Sequence, residues 1–96
     1  MTTVRRLPRP FEMHWGSGEI VEEASYAGEY HEPTIQLMEY TEGDAAGSFS
    51  IRFCTYNHAG RFQRSSLMVS EADLDGLRDA LRSTPRLRAI LRRLVE

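Results

Sequence analysis

The chain reads as an α+β domain: a curved antiparallel sheet of about four strands followed by one or two C-terminal helices packed on one face. Three observations predict this. Phe49, Ile51, Phe53 and Thr55 alternate with Ser50, Arg52, Cys54 and Tyr56, the period of a half-buried strand. A turn cluster, Asn57-His58-Ala59-Gly60, separates that strand from a returning segment, Phe62–Val69. Ser70-Glu71-Ala72-Asp73 follows at once as a capping box. The Ser70 hydroxyl is placed to accept from the Asp73 amide while the carboxylate reaches back.

Residues 1–18 read as a flexible N-terminal arm, because Leu7-Pro8-Arg9-Pro10 and Gly16-Ser17-Gly18 interrupt regular structure. Residues 19–96 then form the single domain. Glu19–Glu23 is a short strand candidate, and Thr34–Thr41, bounded by Pro33 and Gly43, is a better one. The Glu42–Gly47 cluster turns the chain into the Ser48–Tyr56 strand. A first helix runs from Glu71 to about Arg82, with Leu74, Leu77 and Leu81 on one face. Thr84 and Pro85 start a second, whose stripe is Leu87, Ile90, Leu91, Leu94 and Val95.

Composition narrows the function. At 96 residues, 41% hydrophobic and 27% charged, the chain suits one globular domain that gains from a second copy. No apolar run approaches the ~20 residues of a membrane span, which gives a cytoplasmic expectation with no membrane partner. One cysteine, Cys54, excludes an internal disulfide. All twelve basic residues are arginine, from a GC-rich genome or from selection for bidentate phosphate and carboxylate recognition. Charge is unevenly placed: residues 1–48 carry three arginines against nine acids, residues 49–96 nine against five. The molecule is therefore dipolar, with a basic C-terminal half.

Register decides what each face of the sheet carries. A four-residue loop pairs Tyr56 with Arg61 and leaves both faces half apolar. A five-residue loop or a bulge pairs Tyr56 with Phe62 and Ile51 with Leu67, which puts Phe49, Ile51, Phe53, Leu67 and Val69 together under the first helix. The second register is favoured. The opposite face then holds Arg52, Cys54, Tyr56, Phe62, Arg64, Ser66 and Met68, joined by Gln36, Met38 and Tyr40 from the neighbouring strand. Guanidinium groups among aromatic rings suit single-stranded nucleic acid, with arginine on phosphate and rings under bases. Burial of those same side chains by another segment or a second subunit is the alternative.

The segment from Ile51-Arg52-Phe53-Cys54-Thr55-Tyr56 through the glycine turn to Arg64-Ser65-Ser66-Leu67-Met68-Val69-Ser70 resembles the positive cofactor four family of transcriptional coactivators. The pattern spans about residues 35–82. Arg64, Leu67, Val69 and Ser70 match the family's arginine, strand end and helix cap; Ser65 and Ser66 depart from its lysine and glycine. The resemblance implies a curved sheet and a helix, dimerisation through helices, and single-stranded DNA on the sheet's open face.

Catalytic and metal constellations find no support. His14, His31 and His58 with Cys54 match no zinc ligand spacing, and Glu22, Glu23, Glu39 and Glu42 read as solvated edges. The expectation is a non-enzymatic, cofactor-free binder of single-stranded DNA or RNA. Arg52, Arg61 and Arg64 would take phosphates, and Tyr40, Tyr56 and Phe62 would stack bases. A homodimer would form through Leu87, Ile90, Leu91 and Leu94. The competing expectation is a protein-interaction module docking a partner through the sheet face or the second helix.

Overall fold

The computed structural model describes residues 5–64 and 67–96. Five antiparallel strands form one sheet in chain order: β1 (Arg9–Met13), β2 (Gly16–Ser25), β3 (Glu32–Glu42), β4 (Phe49–Tyr56) and β5 (Phe62–Gln63). A 3-10 turn, Glu71–Asp73, leads into α1 (Leu74–Leu81), and α2 (Pro85–Val95) follows. The sheet curls into a half-barrel with both helices after it, so the α+β expectation holds.

The curl has local causes. Register slips between Ser17 and Gly18 and again between Ile20 and Glu22 put bulges into β2, and bulges bend a strand. Gly18 sits so close to β3 that a Cβ there would collide with the Glu39 carbonyl. Residues 9–13 and 16–18 are strand rather than arm, which adds a fifth strand to the expected four. Their glycines serve close approach and bulging, not a break.

Tyr56 pairs with Phe62, the favoured register. The ladder then stops at Gln63, so the expected strand to Val69 does not form: Leu67–Ser70 is irregular, and Ser65 and Ser66 lie outside the described residues. Ser70 does cap the turn, accepting from the Ala72 amide at 3.3 Å rather than from Asp73.

Leu37, Ala24 and Leu87 make the core between sheet and helices, with Ile35, Ile51, Leu81, Ile90 and Leu91 packed around it. Both helices lean on the β2 side of the sheet: Gly76 of α1 lies against the Tyr26 ring, and Leu87 of α2 packs with Ala24 and Leu37. Toward β4, α2 leaves a groove lined by Ile90 and Leu94, with Arg86 near the Phe49 ring. Phe49 and Phe53 are each 46% exposed, so they are not sealed under the first helix as their alternation suggested. Leu67 and Val69 are only half-buried.

Candidate functional site: a buried arginine cluster and an open strand edge

Alternation along β2, β3 and β4 carries Glu23, Ser25, Thr34, Gln36, Arg52 and Tyr56 to the face opposite the helices, as the pairing of Gln36 with both Glu23 and Arg52 requires. That face is not open. Glu23 receives a bidentate pair from Arg9, Nη2 at 2.6 Å and Nη1 at 3.1 Å. It also accepts from Arg5 Nε at 3.1 Å and from Gln36 Nε2 at 2.7 Å. Gln36 Oε1 accepts from Arg52 Nε at 2.7 Å, and Gln36 Nε2 also donates to the Tyr56 hydroxyl at 2.9 Å. The Arg5 guanidinium lies 3.8 Å from the Tyr56 ring centroid.

The electrostatics follow from this packing. Burial by itself would raise the Glu23 pKa. Hydrogen bonds from Arg9 and Gln36, with the charges of Arg5 and Arg9, outweigh it and hold Glu23 below the usual carboxylate range. The bond to Glu23 holds Arg9 above its ordinary value against the opposing effect of desolvation. Burial pushes the Cys54 thiol up, so this cysteine is poorly suited to act as a nucleophile.

The expected binding residues are divided by this arrangement. Tyr40 and Tyr56 are 3% and 6% exposed and offer no ring face to a base. The Tyr40 ring meets Phe11 edge-on, and its hydroxyl accepts from Trp15 Nε1 at 2.8 Å and Ser50 Oγ at 3.1 Å. Tyr56 is covered by Arg5. Arg52 stays at the margin, its guanidinium 4.8 Å from the centroid of the half-exposed Phe62 ring. Arg61 and Arg64 are exposed. Leu87 is fully buried within its own chain and so is not an interface residue. Ile90 and Leu91 are partly buried on the core, and Leu94 alone of the four is largely exposed.

Sequence reasoning missed Arg5, Arg9, Glu23, Glu32 and Gln36. By sequence alone Glu22 and Glu23 look like a solvated edge. Instead Glu23 anchors the cluster, and Glu22 Oε1 accepts the Leu87 amide at 2.8 Å, capping α2 from the sheet. A usable signal existed: Glu23-x-Ser25 and Thr34-x-Gln36 place polar groups at period two inside apolar strands.

The second feature is the outer edge of β4. The Tyr40 amide donates to Ser48 on the β3 side, and the Asn57 amide donates to Arg61 on the β5 side. Backbone groups alternate along a strand, so the N–H and C=O of Phe49, Ile51 and Phe53 face outward. Among the described residues β5 pairs with β4 only at Thr55 and Tyr56, which leaves that edge unpaired. A groove of about 660 Å³ runs beside it, lined by Phe49, Ile51, Phe53, Ile90, Leu94 and Arg93.

No protein-family model, curated protein or solved structure matches this chain. Among the described residues no three His, Cys, Asp or Glu side chains converge on a metal-sized site, and no helix is long and apolar enough to cross a membrane.

Proposed function

We propose that the chain is a non-enzymatic interaction module that takes an extended, acidic and apolar segment of a partner protein on the outer edge of β4. The observation that carries this is the Phe49–Phe53 edge, unpaired among the described residues, beside an apolar groove. An exposed edge is a template for strand addition: main-chain hydrogen bonds supply affinity, and alternate side chains supply specificity. Half-exposed Phe49 and Phe53 would receive the partner's apolar side chains. Charge selects the partner. Arg93 lines the groove, the Arg86 guanidinium lies 5.2 Å from the Phe49 ring centroid, and among the described residues no carboxylate lines the groove. Carboxylates flanking the partner strand would meet both arginines.

A labelled peptide of alternating valine and threonine with glutamates at its ends tests this by fluorescence anisotropy. It should bind the wild-type chain better than its lysine-ended counterpart. Phe53→Pro should abolish binding with the fold retained, because that N–H points away from β3 and proline is tolerated at such a position. Equal binding of both peptides, or binding unaffected by Phe53→Pro, would remove the proposal.

Nucleic-acid binding is the second reading, and the stacked Arg52–Phe62 pair beside exposed Arg61 and Arg64 favours it. With Tyr40 and Tyr56 buried, it relies on this margin of the sheet. A labelled single-stranded oligonucleotide in the same assay should then bind with steep salt dependence, losing about one phosphate's worth of slope on Arg64→Ala. A homodimer through α2 would use Leu94 and Val95, which are exposed there.

A further inference from the structure

We infer that the pocket occupied by the Arg5 side chain is a guanidinium receptor in its own right, with Arg5 as an exchangeable occupant. Its walls come from regular strands. The Tyr56 ring forms the floor, 3.8 Å from the Arg5 guanidinium carbon. Glu23 Oε1 accepts from Nε at 3.1 Å, and Ser25 Oγ and Thr34 Oγ1 accept from Nη2 at 2.7 and 3.4 Å. Glu32 closes the far side, its Oε1 lying 3.6 Å from Nη1. The occupant comes from residues 5–8, which precede β1 and form neither helix nor strand. The receptor is thus built by β2, β3 and β4, and its filling by a side chain on a separate stretch of chain.

Two features suit a guanidinium and no other common cation. An aromatic floor under a planar ion, with acceptors spread around its rim, matches a five-donor fork; an ammonium is compact and would leave part of that rim unfilled. The carboxylates are also too deeply placed to go uncompensated: the Glu23 and Glu32 side chains are 6% and 0% exposed. An empty pocket would bury negative charge beside Arg9 alone on one side and His58, 3.4 Å from Glu32 Oε2, on the other.

Arg5 does not fill the receptor completely. Its Nη1 and Glu32 Oε1 are both buried and, among the described residues, neither has a hydrogen-bond partner. A buried carboxylate oxygen therefore points into the pocket with its hydrogen-bonding capacity unused. A guanidinium without the Arg5 backbone tether can settle closer to Glu32 and take that bond. The ligand class is a guanidino group, carried by a small molecule or by an arginine side chain of another protein.

The test uses the full chain carrying Arg5→Ala. Millimolar methylguanidinium should raise its thermal midpoint by several degrees, as a ligand specific to the folded state must. Methylammonium at the same concentration should not. An arginine-containing peptide rescuing at lower concentration than methylguanidinium would assign the source to a protein, and the reverse order to a small molecule. Equal effects of the two cations, or no effect of either, would overturn the inference. Should Arg5→Ala not fold, the wild-type chain decides: excess methylguanidinium must move the Arg5 Nε–H resonance toward its solvent-exposed position. A resonance that stays in place would overturn it equally.

Discussion

Glu23 is held by two guanidinium groups and one amide, and its lowered pKa links the fold to pH. Because the folded state holds its proton less tightly than the unfolded chain, the stabilisation is fully present above the ordinary carboxylate pKa. It is lost as pH falls through the lower, folded value. Acid titration of the thermal midpoint should therefore show a decline below the usual carboxylate range. Glu23→Gln should be less stable at neutral pH and show a flatter decline; a parallel decline in both would remove Glu23 from that role. Core residues divide as sharply. Leu37→Ala and Leu87→Ala should each cost about 2–5 kcal/mol in chemical denaturation, through lost transfer energy and a cavity. Phe53→Ala, half-exposed, should cost under about 1.5 kcal/mol. From alternation alone Phe53 and Leu37 look equivalent. Strand order and packing separate them: Leu37 lies on central β3 against Ala24 and Leu87, and Phe53 on β4 beside the groove.

At the scale of elements, β2 and α2 depend on contacts distant in sequence. Gly18→Ala would drive a Cβ into the Glu39 backbone carbonyl, which no rotamer change relieves. The variant should lose about 2 kcal/mol or more, through a displaced bulge at the β2–β3 ladder. Glu22→Ala removes the acceptor at the Leu87 amide and a favourable charge at the N-terminus of α2. A loss of about 1 kcal/mol is expected, the size of a lost cap, with helix content otherwise kept by circular dichroism. The start of α2 was legible in Thr84-Pro85. Its cap was not, since Glu22 lies 65 residues away. The same distinction applies to β5: the turn at residues 57–60 and the Tyr56–Phe62 register follow from local pattern, while the end of the ladder at Gln63 does not. Leu67–Val69 has the alternation of a strand, but the Met68 carbonyl lies 3.0 Å from Nε2 of His31, in the segment between β2 and β3.

Across the whole molecule, the charge asymmetry resolves into two environments. Arg5 and Arg9 of the acidic half are paired with Glu23 on the sheet face, whereas Arg86, Arg88, Arg92 and Arg93 lie on α2 without an acid in its first turn. A partner strand on β4 and a second copy through α2 would use neighbouring surfaces. Sedimentation at micromolar concentration should show a dimer if Leu94 and Val95 are its contact, and Leu94→Arg should return it to monomer. A monomeric wild-type chain would remove the dimer and leave the β4 edge proposal as it stands.

What the sequence alone determined is the α+β class, the order of β3, β4 and the two helices, and the division of β4 into an apolar and a polar face. These follow from periods of two and 3.6 residues and from turn and cap residues, all expressed within a few positions of the chain. What only the tertiary structure decided is whether the polar face is open. Arg5 reaches Glu23, Ser25 and Thr34 across separations of 18, 20 and 29 residues. That meeting depends on the strand order and on the curl that bulges impose. An arginine that looks like a solvated tail residue thereby covers a tyrosine that looks like a stacking platform. The pairing of charges across a sheet is set by where strands lie, and local periodicity carries no record of it.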